Sequence, residues 1–280
     1  MLDRRLLIVT GKGGTGRSAI TAAIAIAGGR QGRRVLTLAV DSGVGLAHHL
    51  GSEGIGPDPQ RIGHVAVARV DPARALDQYL RLRTRLPAAG SAARVFSALA
   101  DAVPGVRDTL VLGKIVYEAT RPHWDLVVVD ADPTGRILSR LRAGATVRRL
   151  VSRGPVREEA EWLERVLADP SHTAAVLVAT PEDLPVREAN EFRDAIDTEP
   201  LVAIGEVVAN RVLPDPDFTA AQARAATGSA GAMATLHLGL HRSQRAPLRA
   251  LRARRHLPFL FGLHTPAEVA ESLADLVEQP

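Results

Sequence analysis

The chain of 280 residues has no cysteine at all. That excludes disulfides, thiolate metal sites and thiol chemistry, and with them a disulfide-stapled secreted scaffold. Aromatic residues make up only 3% of the sequence, so the core must be built from Val, Leu, Ile and Ala. Met1 and Met233 are the only methionines, which leaves little material for an adaptable Met-rich groove. No uninterrupted apolar run approaches the roughly 20 residues of a membrane span. Arg4-Arg5 leads directly into an apolar strand pattern, with no leader-like segment before it. A cytoplasmic protein is the expectation. Lysine is almost missing as well: of 35 basic Lys and Arg residues only Lys12 and Lys114 are lysine. This arginine bias suits a GC-rich genome. The net charge of +4 is mild.

What is present is a glycine-rich loop in a telling context. The apolar run Leu6-Leu7-Ile8-Val9 is followed by Gly11-Lys12-Gly13-Gly14-Thr15-Gly16-Arg17-Ser18, and an Ala/Ile-rich segment runs on from Ala19. Strand, glycine loop and helix in that order match the phosphate-binding pattern G-x-x-x-x-G-K-[ST], with Arg17 where the pattern has lysine. Glycines let backbone N–H groups turn inward, and a helix N-terminus adds its positive dipole end, so a phosphate chain is cradled. Ser18 supplies a hydroxyl for a Mg²⁺ ion shared with the phosphates. Gly11, Gly13 and Gly16 also satisfy G-x-G-x-x-G, and Asp41 ends the next apolar strand, as in a dinucleotide fold. Lys12, Ser18 and the later apolar strand ending in Asp130 favour a nucleoside triphosphate. A dehydrogenase is the distant rival.

Apolar runs at Val35 to Val40, His64 to Val70, Leu126 to Asp130, Ala174 to Ala179, Ile204 to Ala209 and Leu257 to Phe261 alternate with helical patterns. The pattern predicts an α/β fold: a doubly wound, mostly parallel sheet in one nucleotide-binding domain over 1–280. Residues 73–121 read as a helical insertion, with helices over Ala75 to Leu86, Ala92 to Val103 and Asp108 to Ala119. Residues 212–256 read as a variable, partly mobile and basic segment, and 214–240 carries no clear periodicity. Pro247 argues against one continuous helix over 242–255, where Arg245, Arg249 and Arg252 would share a face. His237 and His241 have helical metal-ligand spacing, but Gly239 lies between them and no carboxylate is near in sequence.

In a parallel sheet the loop at 11–18, Asp41, Asp71, Asp130 and Asn210 share the carboxyl edge. Asp130 is the candidate Mg²⁺ partner and Asp41 the candidate for orienting the attacking water. Thr134-Gly135 after Pro133 is a candidate γ-phosphate sensor, and Asn210 is placed to read a base edge. Arg17 keeps the charge of the missing lysine in a bulkier, forked form, so binding is a firmer expectation than hydrolysis.

Taken together, these residues resemble the arsenite-pump ATPase family, which also includes the tail-anchored-protein targeting ATPase. The likeness covers nearly the whole chain. It rests on Gly11 to Ser18, Asp41, Val70-Asp71-Pro72 with Ala75-Leu76, Asp130-Ala131-Asp132-Pro133-Thr134-Gly135, and Asn210-Arg211. Pro104-Gly105-Val106-Arg107-Asp108 with Gly113-Lys114-Ile115 is similar to actinobacterial members. The resemblance implies ATP and Mg²⁺ as ligands and a nucleotide-sandwich dimer, a homodimer or a heterodimer with a paralogue. It also implies that Lys12 reaches the partner's phosphates, that Asn210-Arg211 contacts the base, and that a protein client is a possible partner. Nucleic acid is not expected, although a DNA- or membrane-binding partitioning ATPase is a further alternative. The chain departs from the family at Arg17 and at Ser42-Gly43, where the family has Pro-Ala-His. It departs again at Asp132, where the family has a small apolar residue, and at Arg136, which replaces a histidine. Arg17 sets a second expectation beside the ATPase: a catalytically weakened partner subunit.

Overall fold

In the computed structural model, residues 2–84 and 105–278 are described. Eight strands form one sheet in the order β3-β4-β2-β5-β1-β6-β7-β8. They are β1 (Leu6–Gly11), β2 (Val35–Ala39), β3 (Gln60–Ile62), β4 (Val65–Arg69), β5 (Leu126–Asp130), β6 (Thr173–Ala179), β7 (Ile204–Val212) and β8 (Arg255–Pro258). Every pairing is parallel except that of β3 with β4. The short β3 carries no apolar run, which is why its antiparallel hairpin with β4 left no trace in the sequence pattern.

The central strands are buried on both faces, and their residues alternate between two layers. Leu6, Ile8, Val127 and Val129 enter one core, with Leu112 and Ile115 of α4 (Val106–Thr120), Ile137 of α5 (Thr134–Leu141), Leu163 of α7 (Pro155–Ala168) and Phe192 of α8 (Asp183–Thr198). Leu7, Val9, Leu126 and Val128 enter the other, with Ile20 and Ile24 of α1 (Arg17–Arg30) and Leu273 and Val277 of α11 (Pro266–Glu278). Helix α1 is apolar nearly all round because it lies between the sheet and α11, and its alanines allow close approach. The remaining helices are α2 (Val44–His49), α3 (Pro72–Thr84), α6 (Ala143–Leu150), α9 (Ala220–Ala225) and α10 (Gly228–Leu251). The sheet is thus doubly wound, as its apolar strands predict.

Helices α3 and α4 fall in the 73–121 segment expected as an insertion, close to the helices expected over 75–86 and 108–119. The helix expected over 92–103 lies outside the described residues. Three local expectations are corrected. Residues 228–251 form one helix with Pro247 inside it, because Pro247 is buried in the contact with α8 and tertiary packing outweighs the lost N–H bond. His241 does have a carboxylate beside it: Asp215, distant in sequence, lies 2.9 Å from its Nε2. The last strand is Arg255–Pro258 and not 257–261.

Candidate functional site

The loop grows from the middle of the sheet. β1 sits between β5 and β6, and Val9 is in register with Asp130. Glycine at position 11 is forced by space, since a Cβ there would lie 2.0 Å from the Val178 carbonyl oxygen. Gly16 caps α1 in the left-handed region at φ 92°, and a Cβ on it would meet the Asn210 amide nitrogen at 2.4 Å. Both positions therefore require glycine. Gly13 and Gly14 are exposed, with nothing near the place a Cβ would take. The turn is closed by Thr15, whose Oγ1 donates to the Lys12 carbonyl at 2.9 Å.

The Ser18 hydroxyl donates to Asp130 Oδ2 at 2.6 Å. Asp130 is buried, and burial pushes its carboxyl up to about 6, further raised by Asp41 and Asp132 and opposed by the Ser18 bond and the Arg17 charge. A carboxylate held in so dry a place, paired only with a hydroxyl and next to a glycine loop, is what a divalent cation would complete. The hard oxygen donors Ser18 and Asp130 fit Mg²⁺. Asp41 is exposed and its Oδ1 accepts the Gly43 N–H at 2.8 Å, so the carboxylate shapes its own turn while still acting on Asp130. Asp71 similarly caps α3, accepting from Ala73 and Arg74.

Arg17 does not lie free over the loop. Its Nη1 donates to the Ala131 carbonyl, tying the P-loop to the segment after β5. Asn210 is buried and donates from Nδ2 to the Thr15 carbonyl at 2.8 Å, bracing the loop from below. Arg211 follows in the left-handed region at φ 59° and is exposed. Pro133 and Gly135 are exposed at the start of α5, whereas Thr134 is buried.

Two features have no sequence signal. Lys12 forms an ion pair with Glu188 of α8, to whose other carboxylate oxygen the Thr134 hydroxyl also turns at 3.5 Å. Lys12 and Thr134 therefore share one acidic partner. Asp132, the carboxylate foreign to the family pattern, is buried against the equally buried Arg140, with Nη2 2.8 Å from Oδ2. Arg140 also approaches Asp108 of α4 at 3.4 Å. The Arg140–Asp132 contact is not aligned as a hydrogen bond, and Arg140 Nε and Nη1 have no hydrogen-bond partner among the described residues; Arg136 Nε lies 3.4 Å from the other Asp132 oxygen. Arg140 and Asp132 form a close electrostatic pair beneath the 133–135 turn, not a second acid facing the loop.

Residues 4–154 match the family model described as anion-transporting ATPase. The chain belongs to that family. Among relatives of this ATPase-family chain, ATPase BagA of Mycobacterium tuberculosis is 36% identical over 228 residues, covering 75% of this chain and 66% of BagA. The arsenical pump-driving ATPase of Escherichia coli is 29% identical over 199 residues, covering 62% of this chain and 33% of that protein. An uncharacterised Streptomyces coelicolor protein is 35% identical over 170 residues, covering 58% and 43%. The chain thus spans just under two thirds of BagA and a third of the bacterial arsenical pump ATPase. Among the described residues no helix is long and apolar enough to cross a membrane.

Proposed function

We propose that this family member binds ATP with Mg²⁺ at the 11–18 loop and hydrolyses it slowly, acting as a nucleotide-dependent dimeric switch. The observation that carries the reading is the Ser18–Asp130 hydrogen bond at the mouth of the glycine loop. The N–H groups of the loop and the first turn of α1 would hold the phosphates. A Mg²⁺ ion on Ser18 and Asp130 would neutralise charge on the phosphate oxygens. Its positive charge would also favour the ionised form of Asp130, which burial disfavours. Asp41 would leave its turn bond with Gly43 to orient the attacking water. Asn210 would hold the loop in shape, with Arg211 at the base. Lys12 would exchange Glu188 for the phosphates of a second subunit, which also frees Thr134. Ion-pair exchange of this kind gives nucleotide and dimer a shared switch.

A second reading is favoured by one observation. Arg17 is engaged on the Ala131 carbonyl, so the charge a P-loop needs at the β/γ-phosphates is drawn to the switch backbone. The chain would then be a nucleotide-binding subunit of low turnover beside a lysine-containing paralogue.

Titration calorimetry of Mg·ATP and Mg·ADP, with phosphate release followed on the same sample, separates these readings. Binding with turnover above an Asp41→Asn control supports the ATPase. Binding without turnover supports the weakened subunit, and no binding of either nucleotide refutes both.

A further inference from the structure

The opposite edge of the sheet carries a second polar site. A cleft of about 810 Å³ opens there between the end of α1, the β3–β4 hairpin, α3 and α4. It is remote from the glycine loop, since it lies where β2 begins. Among the described residues its lining includes five arginine or lysine side chains and a single carboxylate, Glu118. The whole chain has nearly equal numbers of acids and bases, so this concentration of one sign is local.

The floor is an ordered polar cluster. Glu118 is only 6% exposed. One of its oxygens accepts from Lys114 Nζ at 2.7 Å and the other from Trp124 Nε1 at 3.0 Å. Lys114 also donates to Gln78 Oε1 at 2.8 Å. An ammonium has three donors, and the third has no acceptor among the described residues. Lys114 is one of two lysines in a chain that otherwise uses arginine. A compact ammonium fits beside Glu118 and Gln78, where a planar guanidinium would need more room.

The rim supplies further cations, most of them without an acidic partner among the described residues. Arg34 is taken up by Asp125, which it grips with Nε and Nη2. Arg61 makes only a local bond to the Gly63 carbonyl, and Arg121 only lies over the Tyr117 ring at 5.4 Å. Neither meets a carboxylate among the described residues. Guanidinium groups at a cleft mouth suit an oxyanion bidentately, and Trp124 offers a flat apolar wall.

We infer that this cleft binds a small phosphorylated ligand, its phosphate taken by Arg61 and Arg121 and its body resting against Trp124 and the free donor of Lys114. The inference is independent of the nucleotide reading. The two-lysine composition makes it directly testable. Protein carrying [¹³Cε]lysine should give two lysine ε-methylene signals, one at each site. Phenyl phosphate, with a ring, and inorganic phosphate, without one, are titrated separately into the full chain. The expected result is a saturable shift of the Lys114 signal, weakened at least tenfold in the R61S/R121S variant, whose changes are both on exposed side chains. Tighter binding of phenyl phosphate assigns the ring to the Trp124 wall, and equal affinities assign the site to the phosphate group alone. A shift confined to Lys12, no shift with either probe, or an unaltered titration in the double variant overturns the inference.

Discussion

Substituting Asp130→Asn should stabilise the free protein while abolishing Mg²⁺-dependent nucleotide binding. The carboxyl's ordinary value is 3.8, and burial beside Asp41 and Asp132 holds it at about 6 in the folded chain. The folded state therefore keeps the proton over a range where the unfolded chain has released it. For a group raised in this way, stability falls as the pH rises from about 4 through 6, and the full cost is present above 6. At 1.36 kcal/mol per pH unit the difference amounts to about 3 kcal/mol at pH 8 and to about 0.5 kcal/mol at pH 4. Asparagine keeps the shape and an acceptor for Ser18 but cannot ionise, so the variant escapes this cost. Urea unfolding at pH 4, 5, 6 and 8 measures the difference, and other titrations common to both proteins cancel in it. In thermal scans at pH 8 the gain should appear as a rise in Tm of roughly 6–10 °C. A variant less stable than the parent at pH 8, or a difference that does not shrink toward pH 4, would refute the assignment of Asp130 as a buried carboxylate waiting for a cation.

Three further outcomes are expected. Arg17→Lys should raise ATP turnover tenfold or more, since charge placed on the transferring phosphate contributes roughly three to five orders of magnitude in such enzymes; phosphate release at saturating ATP checks it, and an unchanged rate removes Arg17 as the cause of any slow hydrolysis. Glu188→Gln frees Lys12 at little cost, because both side chains are over a quarter exposed and such pairs are worth about 0–1 kcal/mol; sedimentation should show the dimer at lower ATP concentration, and a dimer less stable than the parent's would exclude Glu188 as a competing partner. Arg140→Met should cost about 3 kcal/mol, the low end for breaking a buried pair, by leaving the buried Asp132 with only the exposed Arg136, whose Nε lies 3.4 Å from its Oδ1, whereas Asp132→Ala with Arg140→Met should recover most of that loss; denaturation of the single and double variants tests the pairing.

The part of the site built from local chain was legible. A glycine loop between an apolar strand and an Ala-rich helix reads locally as a phosphate cradle, and the apolar run ending in Asp130 put an acid within reach of it, as the Ser18–Asp130 bond shows. The α/β class followed from strands apolar on both faces. What could not be read is what joins distant segments. Glu188 lies 176 residues from Lys12, and nothing in the alternation of α8 marks one acid among several on it. Asp132 looked like an extra acid in the switch because Arg140, its partner, reads as an ordinary helical arginine. Asn210 was placed at a base edge from its strand-end position, but only the close approach of β7 to Gly16 reveals the bond to Thr15. Pro247 misled for the reverse reason: a local rule gave way to packing against α8.

The position of β1 bears on how the chain comes off the ribosome. The strand that feeds the glycine loop is made before every other strand of this sheet, yet it has no neighbour until β5 and β6 exist: Leu6 pairs with Val127 on one side and Thr173 on the other. At about 5–20 residues per second, β1 waits on the order of 10 s for both flanks. During that wait β2, β3 and β4 can assemble among themselves, but the loop has no floor and Ser18 no Asp130. A nascent chain arrested before β5 would carry the complete glycine motif without its acid, so under the proposed function nucleotide capture would mark a chain whose central sheet has closed.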